Sequence, residues 1–148
     1  MQRARTLQRK GTATRSLGLA RVLVAHGDLA PRLTLQTILQ AGGYAVDVAA
    51  TTAEALAKLD EGQYELVLSD LAIGSSRGGL DVLAYARVKD YRPATGLITS
   101  DHPAYRRAPG RSHEVAIYTE NLPNLLEKVA ELIGMRASRR YRPLRQAG

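Results

Sequence analysis

Several polar segments of the sequence directly follow short apolar runs, and their residue types could carry out phosphoryl transfer. They are residues 26–28 (His-Gly-Asp), Asp70, residues 99–100 (Thr-Ser) and residues 119–121 (Thr-Glu-Asn). An aspartate carboxylate can attack phosphorus, and hydroxyl or other polar groups beside it can bind the transferred oxygens. Asp70 could instead do no more than cap a turn at the end of its strand. The chemistry therefore depends on whether the fold brings the four segments together.

The elements that would position these segments alternate regularly along the chain. Short runs rich in apolar and β-branched residues predict strands, and apolar residues at helical spacing next to capping residues predict helices. The predicted strands are Arg21–Ala25 and residues 44–49, 64–69, 96–99 and 115–118. The predicted helices cover residues 31–41, 51–62, 80–88 and 122–133.

Two of these helices have a face that we expect to pack on the sheet, and one connecting loop is rich in glycine. The third helix is predicted to bury Leu80, Leu83, Ala84 and Val88. The last helix is predicted to bury Leu125, Leu126, Val129, Leu132 and Ile133. Residues 73–79 (IGSSRGG) lack the Lys-Ser/Thr pair of a phosphate-binding loop, so they predict a flexible loop.

Strict alternation of strands and helices predicts an α/β fold with a flavodoxin-like, doubly wound, five-stranded parallel sheet. Each right-handed crossover returns over the sheet, so both faces are covered. In such folds, ligands bind beyond the carboxyl ends of the strands, where the strand order reverses. The polar segments after strands one, three, four and five should therefore converge.

Composition narrows the class of protein. The 148 residues suffice for one domain, with 45% apolar residues but no Phe or Trp. The absence of Cys excludes disulfides and thiolate chemistry. With no apolar run long enough for a membrane span and no secretory leader pattern, we expect a soluble, cytoplasmic protein.

Charge is concentrated at the two ends of the chain, although the total is +7. Residues 1–20 and residues 136–148 each contain five Lys or Arg and no acid. We expect a flexible basic arm (1–20), a domain (21–135) and a flexible basic tail (136–148). The ends could keep the protein soluble, or bind nucleic acid, anionic lipid or an acidic partner. The arm is also similar to an organellar transit peptide.

Four strings of the sequence carry a resemblance to one family over residues 21–134. They are VLVAHGDLAPRLTLQTIL, GGYAVDVAATTAEALAKL, YELVLSDLAIGSSRGGLDVLAYAR and GLITS. Together they resemble the receiver domains of response regulators. The resemblance implies that a histidine kinase or a small phosphodonor transfers a phosphoryl group to Asp70, with Thr99 as the switch hydroxyl. It also implies that Mg²⁺ and a lysine neutralise the phosphoryl oxygens.

The sequence departs from the family pattern where that neutralisation should occur. The acidic pair that follows strand one in the family aligns with His26 and Gly27, and Asp28 comes one residue later. The family's lysine aligns with Glu120, and its following proline with Asn121. Magnesium prefers oxygen ligands, so a site made of Asp28 and Asp70 would be weak. We therefore expect no cofactor, or weakly bound Mg²⁺.

Two further family features are altered. The aromatic rotamer switch aligns with Ile117, while Tyr118 is the next residue. Residues 101–110 contain two prolines and little apolar periodicity, so we expect a remodelled surface there. The three histidines His26, His102 and His113 lack metal-ligand spacing, and we expect them to be exposed or hydrogen bonded.

Three functions remain open from the sequence. The first is a stand-alone atypical receiver, not an enzyme, that acts by protein contacts with weak or absent phosphorylation of Asp70, alone or as a homodimer. The second is a phosphorylation-competent receiver in which Asp28 and Thr99 support Asp70. The third is a nucleic-acid-binding accessory protein that uses the Arg-rich ends.

Overall fold

The computed structural model describes residues 19–99, 116–118 and 123–147. The strands are β1 (Arg21–Ala25), β2 (Ala45–Ala49), β3 (Leu66–Asp70), β4 (Ala94–Thr99) and β5 (Ala116–Tyr118). The helices in these ranges are α1 (Leu29–Ala41), α2 (Thr52–Glu61), α3 (Gly78–Arg87) and α4 (Leu125–Ala147). Residues 1–18 of the predicted arm and residues 101–110 lie outside the described ranges.

The five strands form one parallel sheet in the order β2-β1-β3-β4-β5. The chain moves outward from β1 to β2, then crosses back to β3 and continues outward on the other side. The strand order therefore reverses between β1 and β3, where the ends of neighbouring strands leave a crevice for a ligand. The predicted flavodoxin-like fold class is confirmed.

A hydrophobic core lies on each face of the sheet because successive side chains of a buried strand point to opposite faces. On one face, Val22 and Leu68 belong to the same cluster as Leu39 of α1 and Val129 of α4. On the other face, strand residues pack against α2 and α3; the buried members include Leu23, Val67, Leu97, Leu59 and Leu83. Helices thus cover both faces, as alternation of the elements predicts.

The start of α2 shows how the sequence sets a helix boundary. The Thr51 hydroxyl accepts a hydrogen bond from the Glu54 backbone N–H at 3.1 Å. The Glu54 carboxylate accepts one from the Ala50 backbone N–H at 2.6 Å. These reciprocal bonds satisfy amides that the first turn of a helix leaves without partners. Thr51 is therefore the N-cap residue of α2.

The buried face of α3 differs from the predicted one. Leu83 is buried and Leu80 is partly buried, but Ala84 is exposed and Val88 is 76% exposed. The buried positions of α3 are Gly78, Gly79, Val82, Leu83 and Ala86. The two glycines press the first turn against the chain that follows β3, and this contact fixes the rotation of the helix. The prediction for Ala84 and Val88 is wrong because apolar spacing alone does not reveal that contact.

The last helix is longer than predicted. Its buried residues Leu125, Val129 and Leu132 agree with the prediction, and Leu126 and Ile133 pack against the same core. However, α4 continues to Ala147, through residues for which the sequence predicts a flexible tail. Beyond Gly134, the Arg136 guanidinium donates hydrogen bonds to the carbonyls of Arg92 at 3.0 Å and Tyr91 at 2.8 Å. These bonds hold the turn that follows the last buried residue.

Candidate phosphoacceptor site

Asp70 is the last residue of β3, a central strand of the sheet. It is paired with Ile98 of β4, and its side chain is 21% exposed. The residue after Asp70 is also bonded to β4, because the Leu71 backbone N–H donates to the Ile98 carbonyl at 2.9 Å. The Asp70 carboxylate is thus held at the carboxyl edge of the sheet and remains accessible to a small molecule.

The segment after β1 brings a buried histidine to this carboxylate. His26 is 6% exposed, and its Nε2 lies 3.9 Å from Oδ1 of Asp70. Its backbone N–H donates to the Ala49 carbonyl at 2.9 Å, and its carbonyl accepts a bond from Nη1 of Arg32 at 2.9 Å. The structure therefore brings together the predicted segments after strands one and three.

The hydrogen bond at the other ring nitrogen assigns the tautomer of His26. The Asp28 backbone N–H donates to Nδ1 at 3.2 Å. Because Nδ1 must accept this bond, the neutral ring carries its hydrogen on Nε2, the nitrogen nearest to Asp70. At 3.9 Å the two groups are too far apart for a direct hydrogen bond. Asp70 therefore faces the Nε2 edge of the His26 ring.

A metal site made of Asp28 and Asp70 stays a prediction from the sequence. Asp28 is the exposed N-cap residue of α1, and its side chain makes no capping hydrogen bond. Within residues 19–99, 116–118 and 123–147, no three His, Asp or Glu side chains are grouped closely enough to hold a metal ion. Mg²⁺ prefers oxygen ligands, so the His26 ring is a poor substitute for a carboxylate. The described residues beside Asp70 therefore do not fit Mg²⁺.

The predicted switch residues occupy the neighbouring strands. Thr99 is buried at the end of β4, one residue after the partner of Asp70, and is paired with Tyr118 of β5. Ile117 is buried in the core that contains α4, so it serves as a packing residue there. Ser100, Thr119, Glu120 and Asn121 lie outside the described residues, and so does the side chain of Tyr118.

Glycines near the site have a role that the sequence analysis did not assign. Gly78 and Gly79 begin α3, and the Gly79 backbone N–H donates to the Leu71 carbonyl at 2.8 Å. A Cβ at Gly79 would lie 2.3 Å from the carbonyl oxygen of Asp70. For these two residues the predicted flexible loop is therefore wrong. The available sequence signal was a glycine pair directly before a helical pattern, eight and nine residues after the aspartate.

Solved structures similar to this chain are response regulator receivers. A CheY-like receiver domain protein from Methanospirillum hungatei JF-1 is 25% identical, with a TM-score of 0.71, and the match covers 82% of this chain and 99% of that one. TrrA from Thermotoga maritima, solved in complex with Mg²⁺-BeF, is 31% identical, with a TM-score of 0.66 and coverage of 77% and 99%. The chain belongs to the response regulator receiver family.

A third similar structure, the chemotaxis response regulator CheY4 of Vibrio cholerae, supports the fold alone at 21% identity. Its TM-score is 0.66, and the match covers 78% of this chain and 98% of that one. No protein-family model and no curated protein matches this chain. In the described part of this receiver, no helix is long and apolar enough to cross a membrane.

Membership of the family indicates the process in which this receiver acts. Receivers act in two-component signalling, where they interact with histidine kinases and other signalling proteins. The assignment of Asp70 as the phosphoacceptor and of Thr99 as the switch hydroxyl stays a prediction from the resemblance. After β1, the His26 ring lies 3.9 Å from the Asp70 carboxylate.

Proposed function

We propose that this receiver signals through protein contacts, with weak or absent phosphorylation of Asp70. The observation that carries the proposal is the buried His26, which lies across from Asp70 with its Nδ1 bonded to the Asp28 backbone N–H. The ring occupies the space next to the carboxylate, at a position where the family has an acidic metal ligand. A phosphoryl group that reached Asp70 would therefore lack a bound metal ion at this side of the site.

A cation would offset more of the charge repulsion at the site than a polar N–H group does. A carboxylate and a phosphoryl oxygen repel each other, and at intermediate dielectric the repulsion at close range amounts to about 4 kcal/mol per pair of unit charges. A neutral hydrogen-bond donor recovers only about 1 kcal/mol. The balance disfavours both the transfer step and the phosphorylated product.

Exposed apolar side chains beside the site support a role in protein contacts. Leu29 and Leu33, one helical turn apart on α1, are 59% and 48% exposed. Large exposed apolar residues on a charged surface favour association with another protein. A histidine kinase or another signalling protein fits the family, and self-association is the alternative. A cytoplasmic site of action stays a prediction from the sequence.

A phosphorylation-competent receiver is the second candidate, supported by two features. The Asp70 side chain is partly accessible, and Thr99 is buried at the end of the adjacent strand. Asp28 would have to leave the exposed N-cap position of α1 before it could help to bind a metal ion.

Labelling with a small phosphodonor distinguishes the two candidates. The receiver is incubated with acetyl phosphate, with and without Mg²⁺, and its intact mass is measured alongside that of Asp70→Asn. We expect no phosphoryl adduct that requires both Mg²⁺ and Asp70. The triple variant His26→Asp/Gly27→Asp/Glu120→Lys, which restores the family's charges, serves as the positive control and should become labelled. A Mg²⁺-dependent adduct on the unmodified chain that disappears in Asp70→Asn would overturn the proposal.

A further inference from the structure

The carboxyl-terminal half of α4 has a composition different from that of the half that packs on the sheet. Its buried side chains lie between Leu125 and Leu132. From Arg136 to the end of the helix at Ala147 there are five arginines, and there is no lysine or acid. The sequence predicts a basic tail here, but the structure shows a helical backbone as far as Ala147.

Arg136 has a structural role and is set apart from the other four. Its guanidinium is bonded to the carbonyls of Tyr91 and Arg92. The remaining arginines are Arg139, Arg140, Arg142 and Arg145. We call residues 139–147 of α4, which contain these four, the basic helix segment.

We propose that the basic helix segment binds the phosphate backbone of duplex nucleic acid without sequence preference. At ~1.5 Å per residue, its nine residues extend over ~13.5 Å, which corresponds to one positive charge per ~3.4 Å of helix axis. One strand of a duplex also carries one phosphate per ~3.4 Å of the duplex axis. The density of positive charge on the segment therefore matches the density of negative charge on the polyanion.

The choice of basic residue supports the same partner. Arginine presents a planar fork of donors that binds phosphate oxygens in a bidentate manner, whereas lysine acts as a point charge. All basic residues of the segment are arginine. A regular helical backbone also lowers the conformational entropy lost when several of these side chains are fixed against phosphates.

Two other occupants fit less well. A membrane surface requires a broad apolar helix face, but Tyr141 and Leu144 are the only large apolar residues of the segment. A second copy of the segment would bring eight positive charges together with no acid among them. Repulsion therefore disfavours pairing of this segment with itself.

Binding is tested by fluorescence anisotropy with the full-length protein and a short labelled duplex DNA of mixed sequence. Affinity is measured at several salt concentrations between about 50 and 200 mM. We expect salt-sensitive binding, and at least a roughly tenfold loss of affinity at the lowest salt in Arg139→Ala/Arg140→Ala/Arg142→Ala/Arg145→Ala. The slope of log K against log salt should decrease in magnitude by up to about 3.6, since each lost phosphate contact removes about 0.9.

The matched control removes the same charge from the other end of the chain. Arg3→Ala/Arg5→Ala/Arg9→Ala/Arg15→Ala also lowers the net charge by four, and should retain most of the affinity. Equal losses in the two variants would show unspecific attraction and overturn the proposal, as would no binding by the unmodified protein. Stronger binding to vesicles of equal parts phosphatidylcholine and phosphatidylserine than to the duplex would also overturn it. Circular dichroism checks that each variant is folded.

Discussion

The ring of His26 shows how one residue changes the chemistry of a strand end. Its Nδ1 accepts a hydrogen bond from the Asp28 backbone N–H, and this contact fixes the orientation of the ring next to Asp70. A nitrogen ring stands where the family has an acidic metal ligand, so the site supplies little metal-based stabilisation to an incoming phosphate.

Carboxylates placed after β1 should create a cation site. In His26→Asp/Gly27→Asp, we expect the affinity for Mg²⁺ to increase by at least about tenfold, because oxygen ligands then lie next to Asp70. A Cβ at Gly27 would have no neighbour closer than 3.8 Å, so a side chain fits there. Calorimetric titration with MgCl₂ measures the change. The control Leu33→Asp/Gln40→Asp adds the same charge at exposed positions of α1 and should bind Mg²⁺ no better than the unmodified chain.

Two glycine substitutions should change stability in opposite directions. Gly79→Ala places a Cβ 2.3 Å from a backbone oxygen, and such overpacking costs about 1–3 kcal/mol of unfolding free energy. In Gly134→Ala the added Cβ has no atom within 4 Å, so the higher helix propensity of alanine should stabilise the protein by about 1 kcal/mol. Urea unfolding measures both values. A neutral Gly79→Ala would show that the end of β3 can move away from α3.

The site was predictable from the sequence in part. Residues after parallel strands converge by topology alone, so the proximity of His26 and Asp70 followed from the predicted strands. The contact between Gly79 and Asp70 did not, because it depends on how closely two elements approach. The tautomer of His26 could not be predicted either, because it depends on the backbone N–H of Asp28, a residue that the sequence suggested as a metal ligand.

Among the elements, α4 shows how a single tertiary contact extends a helix. Gly134 and the arginines after it suggest a helix end and a tail, as glycine often follows a helix. The guanidinium of Arg136 instead binds two carbonyls of the turn that precedes β4. That turn includes Arg92, whose φ of 46° lies in the left-handed region that residues with a side chain rarely adopt. The rotation of α3 and the length of α4 were unpredictable because each depends on contacts distant in sequence.

Removal of the Arg136 side chain should destabilise the fold by about 1 kcal/mol, since two hydrogen bonds from a partly exposed charged group are lost. Arg136→Lys should lose most of this stability too, because one ammonium group cannot reproduce the fork of Nε and Nη2. Unfolding in urea gives the values. Lys128→Ala, on the same helix, breaks only an exposed pair with Glu131 and should change stability by less than about 0.5 kcal/mol. Equal effects at both positions would contradict the role given to Arg136.

The stability that Tyr64 contributes through its hydrogen bond to Asp47 of β2 should decrease at alkaline pH. Burial raises the pKa of the Tyr64 hydroxyl above its ordinary value, and so does the hydrogen bond that it donates to Asp47 at 2.7 Å. A raised pKa means that the folded protein holds this proton more tightly. The corresponding stability is present below pH about 10 and is lost as pH rises further.

Tyr64→Phe should therefore reduce the decrease in unfolding free energy between pH 9 and pH 11. Some decrease should remain, because burial also raises the pKa of Tyr91. Unfolding titrations at a series of pH values provide the measurement. An unchanged slope in the variant would show that the Tyr64 proton is not linked to folding.

In the molecule as a whole, the excess of basic residues lies at the two ends of the chain, and the buried core residues lie between them. Residues 19–138 contain twelve Lys and Arg against fourteen Asp and Glu, whereas the complete chain has a net charge of +7. All the buried residues of the two hydrophobic clusters lie within residues 19–138. The basic ends therefore determine the electrostatic behaviour of the protein, and the acidic middle contains the folded core.

A chain limited to residues 19–138 should fold and change its ion-exchange behaviour. At pH 7 we expect it to bind an anion exchanger, whereas the complete chain binds a cation exchanger. Its unfolding free energy should stay within about 1 kcal/mol of the original, because it keeps the core and Arg136. Circular dichroism and chemical denaturation provide the measurement. A shortened chain that is unfolded would mean that the ends contribute to the core.

The close approach of Gly79 to Asp70 has a mechanical consequence. No space separates the carbonyl at the end of β3 from the first turn of α3, so the two must shift as one rigid piece. Tyr85 of α3 donates a hydrogen bond to Asp60 of α2, and Lys89 forms an ion pair with the same carboxylate. A displacement of a fraction of an ångström in the backbone of Asp70 would therefore be transmitted through α3 to the outer surface of α2.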